Sequence, residues 1–227
     1  MKILVITSCT SKKKYKPSNQ LIYEDFASTE RLQQRTEELR NCSLPTVEMY
    51  TGLQHLYLME GIKLIRDKYG TDIVDLNILS AGYGLLKEKQ TIVPYNITFQ
   101  GLKKNDIIER SDNLQIHKDT AESAGKYDLI FFLLGKEYVQ ALQLPFLNIV
   151  ETTLIFLLGK THKKLIPELP NLHFVPAGKD LASSLGVTVM SLKGFVFNKL
   201  CEAACEQGFQ VFEQVKENPV VLLDIIK

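Results

Sequence analysis

Two short loops hold the residue types best suited to chemistry. The first is Ser8-Cys9-Thr10-Ser11-Lys12-Lys13, which follows a β-branched apolar run at residues 3–7. Hydroxyls, lysine side chains and backbone N–H groups at the end of a strand form a ready anion site. Cys9 stands among them, where nearby cations would favour the thiolate and make it a nucleophile. A small buried cysteine beside a solvated lysine run is the plainer alternative. The second loop is Ser80-Ala81-Gly82-Tyr83-Gly84, again at the end of an apolar run. Gly82 and Gly84 let a ligand approach the backbone, and the Tyr83 ring between them offers a stacking surface. Ser80 adds a hydroxyl. The alternative is an ordinary strand-to-loop turn.

Loops of this kind need strands to deliver them. Residues 3–7, 73–79, 128–134 and 172–175 read as buried strands. Residues 154–158 are equally apolar and read as a strand or as the buried end of a helix. Helical spacing marks residues 25–40, 49–69, 105–110, 116–124, 137–144 and 192–206, and Gly70 stops the second of these. Residues 87–104 are polar and irregular, and residues 209–227 finish as a short helix or strand. Strands alternating with helices predict an α/β fold, a single largely parallel sheet with flanking helices, in one domain over residues 1–227. In such sheets ligands bind at the carboxyl ends of the strands, where both loops fall.

The bulk properties exclude several classes. The 227 residues are 45% hydrophobic and 23% charged, with a formal net charge of +1, so any basic site is local. The apolar runs are too short to span a bilayer, and residues 1–2 lead straight into a strand with no signal peptide, so a cytoplasmic protein with no membrane partner is expected. Cys9, Cys42, Cys201 and Cys205 lack paired ligand spacing, and His55, His117, His162 and His173 are scattered. No metal site and no cofactor is expected. Gly159-Lys160-Thr161 fails as a phosphate-cradling P-loop because Leu154 stands where the first glycine belongs. Lys193 opens the late helix after Ser191, an unfavourable place for a cation. It points to a ligand contact or to a plain exposed lysine.

Taken together, Ser8-Cys9-Thr10-Ser11-Lys12, Met49-Tyr50-Thr51-Gly52, Leu79-Ser80-Ala81-Gly82-Tyr83-Gly84-Leu85-Leu86 and Pro94-Tyr95 resemble the YaaA-like superfamily. That group includes peroxide-stress proteins and, distantly, the DNA-modification protein DpdC. Ala81 replaces a glycine of the YaaA pattern and Asn96 an arginine, which places the chain nearer the Ser-Cys-x-x-Lys relatives. The resemblance implies a YaaA-like α/β core, a cleft lined by these loops, and a nucleobase or nucleic acid held there. It brings Tyr50 and Tyr95 into the expected binding set with Ser8, Ser11, Lys12, Lys13, Gly82, Tyr83 and Gly84. Lysines would contact phosphate and tyrosines would hold the planar group, leaving Cys9 and Ser80 as reacting or polarising groups. The expected function is a nucleic-acid-associated protein with a nucleobase- or nucleotide-binding cleft, acting as an enzyme on a base or glycosidic bond. A non-enzymatic DNA-binding oxidative-stress protein and a small-molecule nucleotide or nucleoside hydrolase are the alternatives.

Overall fold

The apolar runs assemble into one six-stranded sheet. A computed structural model describes residues 1–146, 149 and 151–227. The sheet strands are β1 (Ile3–Ser8), β3 (Val74–Ser80), β4 (Gly84–Lys87), β6 (Leu129–Leu133), β7 (Thr153–Leu158) and β8 (Leu172–Pro176). Their order is β4-β3-β1-β6-β7-β8. Every pairing is parallel except β3 with β4, which runs antiparallel. A separate ribbon pairs β2 (Leu44–Pro45) with β5 (Thr91–Ile92). Residues 154–158 are therefore a strand. The short strands β2, β4 and β5 were not expected, and β5 falls within the stretch read as irregular.

Burial on both faces explains why the central strands lack polar alternation. Successive β1 side chains point to opposite faces. Ile3 and Val5 join one core, and Leu4 and Ile6 join the other. The first face carries α3 (Leu53–Tyr69), α8 (Leu192–Gln207) and α9 (Gln210–Glu217), which bury Leu58, Ile62, Val196, Leu200 and Phe212 there. The second carries α4 (Lys104–Asn113), α5 (Ile116–Ala124) and α6 (Lys136–Ala141), through Ile107, Ile116, Ala124 and Val139. The remaining helices are α1 (Thr29–Glu38), α2 (Thr46–Met49), α7 (Lys179–Ser184) and α10 (Leu222–Ile225). Residues 209–227 are thus helical. The helix expected over residues 49–69 begins later, because the chain is extended at Tyr50 and Gly52 before α3 starts.

The connection from β1 leads toward β3 on one side, whereas that from β6 leads toward β7 on the other. The strand order therefore reverses between β1 and β6. At that reversal the loops leave the carboxyl edge in opposite directions and open a crevice, the usual ligand position of a doubly wound sheet. No helix among the described residues is long and apolar enough to cross a membrane.

Candidate functional site

A cleft of about 460 Å³ lies at the carboxyl edge over β1 and β6. Its floor follows from register. Thr7 pairs with Leu133, so Cys9 and Gly135 continue the two strands at matching heights. Neighbouring strands are about 4.8 Å apart at the last pair, and beyond it the two loops diverge around the cleft.

The loop after β1 is pinned to the end of β3 and to the chain before α3. The Cys9 N–H donates to the Leu79 carbonyl at 2.9 Å, the Lys14 N–H to Met49 at 2.9 Å and the Thr51 N–H to Lys12 at 3.1 Å. A Cβ on Gly52 would lie 2.9 Å from the Thr10 side chain, so only glycine lets the loop seat against the start of α3. No side chain caps that helix. Gly52, Leu53 and Gln54, at the positive end of this 17-residue helix, line the cleft. Gln54 ties the same turn to the sheet by donating to Thr7 Oγ1 and to the Leu133 carbonyl, both at 3.0 Å.

Around this frame stand the reactive groups. The Cys9 sulfur lies 3.0 Å from the Tyr138 hydroxyl, supplied by α6. The Lys13 ammonium donates to the Thr10 carbonyl at 3.4 Å and sits 4.2 Å above the centre of the Tyr95 ring. Burial holds it below the ordinary lysine value, with the Cys9 sulfur opposing that shift and Lys16 adding to it. From α8, Lys193 donates to the Leu134 carbonyl, one residue beyond β6. Burial lowers its pKa to about 8, and the Glu137 carboxylate opposes the fall. Glu137 itself lines the cleft. The rim is apolar: Leu53 is 54% exposed and Met190 84% exposed at the mouth.

Of the residues singled out by sequence, Ser8, Cys9, Ser11, Lys12 and Lys13 line this cleft together. The others form a layer behind it. Ser80, Gly82, Gly84, Tyr50 and Tyr95 are buried. Ser80 Oγ accepts from the N–H groups of Gly82 and Tyr83 at 3.1 Å and donates to the Tyr95 hydroxyl at 2.7 Å. That hydroxyl also meets Tyr50 Oη at 2.7 Å. Burial drives the hydroxyl pKa values of Tyr50 and Tyr95 well up, reinforced by the adjacent Cys9 sulfur. Gly82 admits the Tyr95 ring, which would lie 2.9 Å from a Cβ there, and Gly84 adopts φ +78° beside the Leu114 carbonyl. Tyr83 packs edge-to-face between Phe26 and Tyr95, and its hydroxyl donates to the Val93 carbonyl at 3.3 Å. It borders a separate groove of about 200 Å³, between α1 and β5. The tyrosine layer thus supports Lys13 from below.

Sequence reading missed Gln54, Glu137, Tyr138 and the segment 188–190. None belongs to a local motif; they meet only because the strand ends meet. Lys193, flagged by its misplaced charge, does reach the cleft.

These features define a doubly wound α/β protein whose candidate site occupies the switch point of its sheet. Residues 34–164, more than half of the chain, match the model of a family described as a family of unknown function, DUF6884. The chain belongs to that family. The matched span includes Gly52, Gln54, Glu137 and Tyr138 of the cleft, while residues 8–13 and 188–193 lie outside it. No curated protein matches the chain.

Proposed function

We propose that the cleft binds a phosphorylated nucleoside and acts on its base or its glycosidic bond. The phosphate sits on the loop of residues 8–13, against the uncapped start of α3. The carrying observation is that meeting of two anion-favouring elements, a hydroxyl–lysine loop and a free 17-residue helix terminus, opposite Cys9. The loop supplies Ser8, Thr10 and Ser11 hydroxyls and the Lys12 and Lys13 cations. The planar group then lies toward the apolar rim at Leu53, Val189 and Met190 rather than on Tyr83. Cys9 and Tyr138, 3.0 Å apart, stand at the reacting centre. The likeness of Ser8-Cys9-Thr10-Ser11-Lys12 and Ser80–Tyr95 to the YaaA-like superfamily supports a nucleobase ligand. A cleft volume of about 460 Å³ favours one nucleotide unit over a duplex.

Thermal melting with ligand tests the reading. A mononucleotide at a hundred times its Kd stabilises by about 2.7 kcal/mol. For a chain of this size that raises Tm by about 5–10 °C. Nucleoside 5′-monophosphates are expected to do this, and the Lys12→Ala/Lys13→Ala double variant to lose most of the rise. Stabilisation by duplex DNA alone, fading as salt increases, replaces this reading with the DNA-binding one. No shift with any nucleotide or oligonucleotide overturns both.

A further inference from the structure

Lys193 is held in an unfavourable setting by two independent constraints. Its residue opens α8, where the helix dipole repels a cation. Next to it, Gly194 presses against the Gln54 backbone so closely that a Cβ would lie 2.0 Å from that carbonyl oxygen. The backbone is therefore fixed, and the side chain is directed across the end of β6 to the Leu134 carbonyl. Leu134 directly follows Leu133, the residue paired with Thr7, and Cys9 lies two residues beyond Thr7, so the amine and the sulfur line the same cleft. The titratable groups that share the cleft with Lys193 are Glu137 and Tyr138 from α6 and Cys9, Lys12 and Lys13 from the β1 loop, of which the Glu137 carboxylate acts on the amine; Gln54 from α3 is neutral.

We propose that Lys193 is the amine nucleophile of the cleft, attacking the anomeric carbon of a phosphorylated pentose, free or within a nucleotide. This rests on the placement of phosphate at residues 8–13 argued above. With a free sugar phosphate, the amine lone pair forms the N–C1 bond to the open-chain aldehyde. The carbinolamine then loses water to give an imine. With a nucleotide, the same attack breaks the C1′–N bond, and the base leaves with the electron pair and takes the proton the amine releases. The C1′–O4′ bond then opens as the nitrogen lone pair forms the imine, O4′ takes a proton from water, and hydrolysis returns the free amine. Glu137 and Tyr138 are the side chains placed to carry these protons. Desolvation supports the role: with its pKa lowered to about 8, Lys193 carries a neutral amine near neutral pH far more often than an ordinary lysine.

Ribose 5-phosphate with sodium cyanoborohydride tests the proposal, because hydride reduces the imine to a stable secondary amine that peptide mass mapping locates. The expected result is an adduct concentrated on Lys193 over exposed Lys63, forming at a rate half-maximal near pH 8. Lys193→Arg and Lys193→Met are expected to abolish it while melting cooperatively, and a nucleoside monophosphate is expected to compete. Ribose 5-phosphate that raises Tm without an adduct on Lys193 overturns the nucleophile and leaves the binding reading standing. Labelling of Lys193 that Lys12→Ala/Lys13→Ala leaves unchanged overturns the phosphate placement on which the proposal rests. Adducts scattered over surface lysines, or rising only near pH 10, overturn the proposal outright.

Discussion

Replacing Gly194 by alanine loads the α3–α8 contact at its tightest point. The added Cβ would stand 2.0 Å from the Gln54 oxygen, 2.9 Å from its carbonyl carbon and 3.1 Å from its Cα. All three are backbone atoms of a helix, so no side chain can swing aside. Ordinary contact begins near 3.4 Å, so the two helices must part by roughly 1.5 Å at this point. Phe197 lies three residues further along α8, 5.3 Å from the Phe131 ring centre of β6, so the displacement reaches the core. Overpacking of this kind costs about 1–3 kcal/mol, and the better helix propensity of alanine offsets less than about 1 kcal/mol. At about 2–4 °C per kcal/mol, the expected fall in Tm is about 2–10 °C with an unchanged urea m-value. Gly125→Ala is the control: that glycine has φ −63° and meets nothing nearer than 4.0 Å. Differential scanning fluorimetry with urea titration checks both variants. A Gly194→Ala protein that melts within 1 °C of the parent refutes the reasoning.

Three further outcomes are expected. Tyr95→Phe strands the hydroxyls of Ser80 and Tyr50, both within 2.7 Å of the lost group, and is expected to lower stability by about 1–3 kcal/mol in urea titration, more than Tyr50→Phe does. At Asp25, desolvation pushes the pKa up, but the Ile22 N–H and the Arg31 and Arg35 guanidinium groups outweigh it and hold the carboxyl below its ordinary value of 3.8. Its stabilising contribution is therefore present above pH 3.8 and lost as pH falls through the lower folded-state value, so Asp25→Asn is expected to weaken the protein at pH 7 and to converge on the parent as pH drops below 3.8 in chemical melts. Alkylation of Cys9 with iodoacetamide, located by peptide mapping, is expected to abolish nucleotide stabilisation and to be slowed by bound nucleotide; equal alkylation rates with and without nucleotide count against the cleft assignment.

The buried parallel strands were legible because both faces are covered, which turns β1, β6 and β7 into uninterrupted apolar runs. Strand β4 was not, since four residues ending in Lys87 at a sheet edge carry too little pattern. The loop of residues 8–13 was read as part of a binding site, and the structure places it on the cleft. Ser80, Gly82 and Tyr95 stood out for their residue types, and in the structure packing accounts for those types: Ser80 closes a turn, Gly82 admits a ring, and Tyr95 fills the space behind Lys13. Small residues at a strand end signal close approach, but not whether a ligand or the protein's own side chain makes it. Glu137 and Tyr138 carried no local signal at all, because their meaning comes from which strand ends lie side by side. Lys193 was readable through a conflict between its charge and its helix position, a cue independent of any motif.

The placement of β1 between β3 and β6 also sets an order of events during synthesis. The N-terminal strand emerges first, yet its partner on one side comes much later: the Lys2 N–H bonds to Asp128, 126 residues downstream. At about 5–20 residues per second, ribosomes need roughly 6–25 s to supply that partner. Until then β1, apolar from Ile3 to Ile6, has only β3 to pair with, and one of its edges stays open to other chains. The cleft, whose floor is the junction of β1 and β6, is therefore among the last features to form on a nascent chain. Slow translation through β6 and β7 is expected to raise the demand for holdase chaperones more than slowing elsewhere.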